Sequence, residues 1–488
     1  MCMLGWSSLL PEWSFRDLRL RRRALLLLDG LLRAPGESFA SVFGKHSAAA
    51  RQAYDFCEND AMEFQSLLAP AFLTTGKLIR EDFASVLVIQ DTTELDLTTH
   101  KAMKGLGESG NPKGRGIFLH AGLAVTPDGL PLGPLSALTW VRPPEDHGKA
   151  TERRARPFDD KESSKWWKTI ENAEHAVNCP GKLVHIGDRE IDVFEVFARC
   201  LASGYRGLFR AAQDRALLDA PHKLLWAQAE SWKVVGSRTV ELPERRPRKD
   251  SPAREARTAV LELRFGPVTL AQPETTGKGH VTLCAVFVRE VDPPSAADCI
   301  EWLLLSTDIL ATVEDAWTRV DWYRRRWLIE EFHKCLKTTC QVELRQFDDR
   351  PHFETYLALV LLVSLRILFL RNIARAEPDT PAREFLSQDE EQVVRAAHDE
   401  GARIRFPAVL TASLAVRFIA RLGGFMARKG DGEPGFQTLA KGYAKLAAMV
   451  AGYRLARGLP TQSEPALSDL TCAPAQYFHK RTALPSPH

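Results

Sequence analysis

Three acidic residues stand where carboxylates can do metal-assisted chemistry. Asp91 closes the apolar run Val86-Leu87-Val88-Ile89, Asp188 closes Leu183-Val184-His185-Ile186, and Glu330 lies inside the stretch from Tyr323 to Lys337. Carboxylates at the ends of two neighbouring strands and on one helix can hold a pair of divalent metals for phosphodiester chemistry. Asp96 and Asp192 lie near the first two acids and are rivals for their place. A strand-end Asp before a helix, such as Asp188, also has a plain structural use as a helix cap.

The elements that must position these acids follow from the pattern of the chain. Val86 to Ile89 reads as a buried strand, and Gly116 to Val125 and Leu130 to Val141, joined by Thr126-Pro127-Asp128-Gly129, carry the signals of a hairpin. Ser163 to Val177 reads as helix, Lys182 to Ile186 as strand, Ile191 to Ala202 as helix, and Gly207 to Arg210 as a short strand. The order strand, strand, strand, helix, strand, helix, strand predicts a mixed sheet with crossover helices. It is the order of the ribonuclease H-like fold, with the first acid on the first strand and the second just past the fourth. Residues 215 to about 300 then intervene as a β-rich insertion, with a basic loop at Arg245-Arg246-Pro247-Arg248-Lys249, before helical character returns near Thr312.

The ends of the chain are helical. The sequence predicts an N-terminal helical domain over 1–68, a catalytic domain over 69–375, a C-terminal helical domain over 376–458 and a loose tail over 459–488. With 488 residues, 45% of them hydrophobic and 26% charged, the chain has the composition of a soluble multidomain protein, and a net charge of +3 does not by itself announce a nucleic-acid partner. Nine scattered cysteines with no Cys-x-x-Cys pair fit reduced thiols in a cytoplasm and argue against a zinc ribbon. No secretory signal is visible, and the greasy stretch Tyr356 to Leu370 contains Arg366 and reads as a buried helix, so no membrane partner is expected.

On an α-helix at about 100° per residue, Tyr323, Arg326, Glu330 and Lys337 fall in one narrow stripe, with Trp322, Ile329, Phe332 and Leu336 forming a separate apolar stripe. One stripe can pack while the other faces a cleft. The spacing is similar to the Tyr-x-x-Arg-x-x-x-Glu-x-x-x-x-x-x-Lys signature of bacterial cut-and-paste transposases of the DDE type. The segments Ile89 to Thr93, Gly187 to Asp192 and Arg326 to Lys334 resemble those of the Tn-five group in particular, as do Lys161 to Trp166, Trp302 to Leu305 and Ala420 to Met426. The resemblance runs from about Asp17 to Leu455.

The resemblance implies metal-ligating and catalytic roles for Asp91, Asp188 and Glu330, holding two Mg²⁺ or Mn²⁺ ions. It implies DNA contacts for Tyr323, Arg326, Lys337, Arg210 and Trp327, stacking of Trp302 on a flipped base, and end-DNA contacts for Arg19 and Arg23 in the N-terminal helices. It further implies cleavage of double-stranded transposon-end DNA through a hairpin, transfer of the 3′ ends to target DNA, and a homodimer that brings two ends together. One departure is visible: the family's Arg-x-Lys pair on the last core strand is Arg210-Ala211-Ala212 here. Two other readings remain open on the sequence: a catalytically silent inhibitor derived from a transposase, and a metal-dependent nuclease that cuts without joining.

Overall fold

The structure is a computed structural model. It describes residues 17–111, 113–142, 156–218, 220–244, 253–274, 277–295, 299–401, 406–428 and 431–459. The basic loop at Arg245 to Lys249 and nearly all of the 459–488 tail lie outside the described residues.

Among the described residues, four helices come first: α1 (Leu18–Arg33), α2 (Phe39–Phe43), α3 (Ala48–Cys57) and α4 (Phe64–Asp82). Three of them start on a side chain that satisfies an otherwise orphan amide, Asp17 for α1, Ser38 for α2 and Ser47 for α3. The chain then enters an 11-stranded sheet. β1 (Val86–Asp96) lies between β3 (Arg115–Val125), which it pairs antiparallel, and β5 (Leu183–Gly187), which it pairs parallel. β4 (Pro131–Trp140) returns along β3 after a turn in which Gly129 takes φ +98°, a conformation open to glycine, and β2 (Gly107–Glu108) adds a short rung. α5 (Ser164–Val177) crosses to β5, and α6 (Phe194–Ser203) crosses to β6 (Arg206–Arg210), which pairs parallel with β5. This is the predicted ribonuclease H-like arrangement: an antiparallel hairpin on one side of β1 and two parallel strands on the other.

The insertion sits between the second and third acids, as expected, and continues the same sheet. After β7 (Leu217–Leu218), a helix α7 (Leu225–Ser231) absent from the sequence reading, and β8 (Gly236–Leu242), the long strands β9 (Arg257–Ala271) and β10 (His280–Glu290) form a ladder. β11 (Glu301–Ser306) joins that ladder to β6, pairing antiparallel with both β10 and β6. Trp302 is thereby delivered on the strand next to Arg210.

The third acid follows on α8 (Val313–Arg324) and α9 (Trp327–Lys334), which ends in a π turn, Cys335–Thr339. α10 (Arg350–Ala376) comes next, then α11 (Gln388–Gly401), α12 (Ala412–Leu422) and α13 (Phe436–Ala456). α10 is longer than the stretch read from sequence and is apolar and long enough to cross a membrane. Its most apolar window is 94% buried inside the protein, which makes it a core helix. The buried core is continuous from Leu27 and Leu28 of α1 through Val86 to Ile89 of β1 to Leu357 to Leu368 of α10. A second cluster lies under the insertion and a third joins the C-terminal helices.

Candidate functional site

Asp91 is in the middle of β1 and not at its end, because β1 continues to Asp96 while its neighbour stops at Gly187. The β1–β5 pairing ends at Ile89 and Ile186, so Asp91 on one strand and Asp188 just past the other emerge at the same level. The overrun of β1 is held by β3, which pairs with it as far as Asp96. Asp188 also caps: its carboxylate accepts the Glu190 amide at 2.9 Å and opens a 3₁₀ turn, Arg189–Ile191. The capping use and a position beside Asp91 therefore coincide.

The two rivals are occupied elsewhere. Asp192 is 2% exposed and accepts from the amides of Ala212 and Gln213 at 2.6 and 2.7 Å and from Arg215 Nε at 2.7 Å, fastening the loop after β6. Asp96 accepts from the amide and hydroxyl of Thr98 at 3.0 and 2.6 Å.

Tyr323, Arg326, Glu330 and Lys337 do not share one uninterrupted α-helix. The helix breaks at Arg325 and Arg326 between α8 and α9, and widens into the π turn before Lys337. Arg326 sits at the break, where its guanidinium bonds Glu330 and lies 3.6 Å from Asp91 Oδ2. Asp91, Asp188 and Glu330 are thus electrostatic neighbours. Burial first, then the Asp188 charge and also Glu330, push the Asp91 carboxyl up to about 7, against the pull of Arg326 and the Thr92 amide. Burial pulls Arg326 down, and the Tyr323 phenol, Glu330 and Asp91 more than reverse it.

Tyr323 is buried beside them, and Trp302 packs edge-on against it with ring centroids 5.2 Å apart. Arg210 lies beside the Tyr323 phenol and donates to Glu301 O at 3.1 Å. Burial lowers the Arg210 pKa, and the Arg189 and Arg326 charges lower it further. The structure therefore brings Asp91, Asp188, Glu330, Arg326, Tyr323, Trp302 and Arg210 into one cluster. Trp327, 51% exposed, flanks it on the solvent side.

Lys337 stands apart. Its ammonium bonds Glu94 O near the far end of β1 and pairs with Glu343 at 3.5 Å. The π turn removes it from the stripe that an unbroken helix would make. Arg19 and Arg23 lie on α1, well outside the cluster. Arg19 is exposed and paired with the capping Asp17 at 3.0 Å, and Arg23 reaches Gln52 on α3.

What sequence reasoning missed is a polar chain on the opposite face of β1. Glu174 on α5 holds His185 at 2.9 Å, His185 lies 3.4 Å from Gln90, Gln90 lies 3.4 Å from His120, and His120 meets the Thr92 hydroxyl at 2.9 Å. The signal was present in the alternation, since Gln90 and Thr92 flank Asp91 on a strand and must face the other way.

Among the described residues, no group of three or more His, Cys, Asp or Glu side chains is placed to hold a metal ion. The donor chemistry nevertheless suits one. Asp91, Asp188 and Glu330 offer hard carboxylate oxygens, and Asp91 is raised by burial first and by the Asp188 and Glu330 charges after it.

Three family models match the chain. A transposase DNA-binding model covers residues 7–62, a transposase DDE domain covers 163–366, and a Tn5 transposase dimerisation domain covers 362–463. The DDE match takes in Asp188, Glu330 and the Tyr323 to Lys337 stretch, while Asp91 lies ahead of it. The chain is also similar to a solved piggyBac transposase synaptic complex with hairpin DNA, at 10% identity and a TM-score of 0.35, over 74% of this chain and 67% of that one. A DDE domain works with divalent metal. The chain belongs to the Tn5-like DDE transposases, enzymes that cleave DNA and transfer its strands, with a DNA-binding domain at one end and a dimerisation domain at the other.

Proposed function

We propose that this transposase excises its DNA segment through a hairpin intermediate and joins the freed 3′ ends to target DNA. Water cuts one strand at the segment's end. The new 3′-hydroxyl then attacks the phosphate opposite, closing a hairpin and releasing the flanking DNA. Water opens the hairpin, and the 3′-hydroxyl attacks a target phosphate. Each step exchanges one P–O bond for another, so a single site serves all four.

Asp91, Asp188 and Glu330 would hold two Mg²⁺ or Mn²⁺ ions. Bound there, the pair supplies activation of the attacking oxygen and charge stabilisation at the leaving one. Arg326 and Arg210 present forked donors to phosphate oxygens, with Tyr323 between them. Trp302 offers its ring to an extruded base, which offsets part of the unstacking cost, and Tyr323 fixes its orientation. Lys337 and Trp327 contact the DNA backbone around this centre. Arg19 and Arg23 in the region 1–68 contact the end DNA, 69–375 catalyses, and 376–458 joins two copies so that two ends are held together. The reduced cysteines suit action in a bacterial cytoplasm.

The observation that supports this most is the placement of Arg326 between Asp91 and Glu330 with Tyr323 and Trp302 packed beside it. The test incubates parent and Glu330→Ala with terminal DNA and Mg²⁺, resolving nicked, hairpin and joined products. The parent is expected to give all three and the variant none. Equal cleavage by both would sink the mechanism, and cleavage without joined product would identify a nuclease.

A further inference from the structure

The segment between Glu330 and α10 is gripped from two sides. On one side Lys337 is bonded to Glu94 O of β1, and Glu343 accepts the Asp96 amide at 2.9 Å, so the segment is fastened to the strand that carries Asp91. On the other side it is pressed against the turn between α1 and α2, within the region matched as DNA-binding. Gly36 in that turn has φ +84° and approaches so closely that a Cβ there would stand 2.5 Å from the carbonyl oxygen of Thr339, the last residue of the π turn. Arg345 donates to Gly36 O and lies beside the buried Tyr356 phenol. Aromatic rings close around this node: Phe39 of α2 lies 5.1 Å from Tyr54 of α3 and 5.6 Å from Tyr356, and Phe347 lies 6.2 Å from Tyr54 and 5.5 Å from Tyr356.

We propose that Arg345 is a positioning residue that couples the DNA-binding helices to the catalytic helix. DNA seated on α1 to α3 fixes the Gly36 turn, and Arg345 carries that constraint into the π turn, setting Glu330 and Lys337 for reaction. This rests on the reading of Glu330 and Lys337 given above. The feature is local and physical: a single side chain holds one carbonyl of the DNA-binding region against the wide turn that follows Glu330, and π turns inside helices are often sited where a helix must do work. Arg345 touches none of the clustered acids, so its effect runs through position.

The test compares parent, Arg345→Ala, Arg345→Lys and Gly36→Ala in two measurements: affinity for terminal DNA, and single-turnover cleavage at saturating protein. Arg345→Ala is expected to bind DNA within about twofold of the parent while cleaving about tenfold more slowly, the loss that a sub-ångström displacement of reacting groups produces. Arg345→Lys, which can still reach the Gly36 carbonyl, is expected to recover most of the rate. Gly36→Ala, with Arg345 intact, is expected to reproduce the slow cleavage, and the double variant to be no slower than the slower single one. Parent-like cleavage by Arg345→Ala or by Gly36→Ala overturns the coupling. So does a rate loss matched by an equal loss of affinity or by melting of both Arg345 variants. Glu330→Ala run alongside separates the two readings: cleavage by that variant overturns the role of Glu330, whereas parent-like Arg345→Ala overturns only the coupling.

Discussion

The two faces of β1 carry polar groups under opposite rules. On the face toward α9, Asp91 is buried and crowded by Asp188 and Glu330, with Arg326 and the Thr92 amide pulling the other way. On the face toward α5, one residue away in sequence, Gln90, His120, His185 and Glu174 hand hydrogen bonds from one to the next and are buried with polar partners. The difference teaches that one strand can hold a reactive centre and the scaffold that steadies it, because side chains alternate sides. The reactive face is left electrostatically unsatisfied, as sites that bind metal or phosphate are. The supporting face follows the ordinary requirement that buried polar groups find partners.

This contrast yields four expectations. Asp91→Ala should lower terminal-DNA cleavage by about a thousandfold or more while the protein still folds, because metal-assisted charge stabilisation is worth several kcal/mol. Circular dichroism beside the cleavage assay checks it, and a residual rate near the parent's would break the contrast. His185→Leu should do the reverse. It strands Glu174 in the interior at a cost of about 3 kcal/mol, visible as a lowered denaturation midpoint, while cleavage per folded molecule changes by less than about tenfold.

The faces should also titrate in opposite directions. On the face toward α5, burial lowers His120 well below its ordinary range. Burial disfavours its charged form, so acid favours the unfolded chain and this face loses stability as pH falls from about 7.5 to about 5.5. Asp91, raised to about 7, takes up a proton in the fold before it would in the unfolded chain, and acidification over that range returns stability. Asp91→Asn should therefore show a steeper loss of thermal midpoint on acidification than the parent, and equal slopes would count against the opposition. The smallest effect expected is at about pH 8 in chelator, where Asp91→Asn relieves the repulsion and should raise the melting midpoint by about 2–4 °C.

Much of this was legible in the sequence, and the failures have physical causes. The apolar runs before Asp91 and Asp188 identified neighbouring buried strands, because a strand buried on both faces reads as an unbroken apolar run, and the structure pairs them parallel. The end of β1 was misplaced because Thr92 to Asp96 is polar, yet β3 holds it in the ladder through backbone bonds that carry no side-chain signature. The stripe from Tyr323 to Lys337 assumed an ideal helix, and a π turn leaves no compositional mark. The insertion read as β-rich from its strands, but its continuity with β6 rests on the pairing of Leu304 to Ser306 with Leu208 to Arg210, a contact across nearly a hundred residues. Chain order raised the convergence of the three acids as a question, whereas the chain from Glu174 to Thr92 was not raised at all, since its links join four separate elements.

That continuity has a consequence for any attempt to shorten the molecule. β6 is an interior strand only because β11 covers it. Trimming residues 215–306, the insertion together with β11, to leave the minimal fold would turn β6 into a naked margin of unpaired amides and carbonyls, bearing the apolar Leu208 and Phe209, an invitation to self-association. A compact version would need a lysine or proline to blunt that margin, and would still lack the wall from which Trp302 projects.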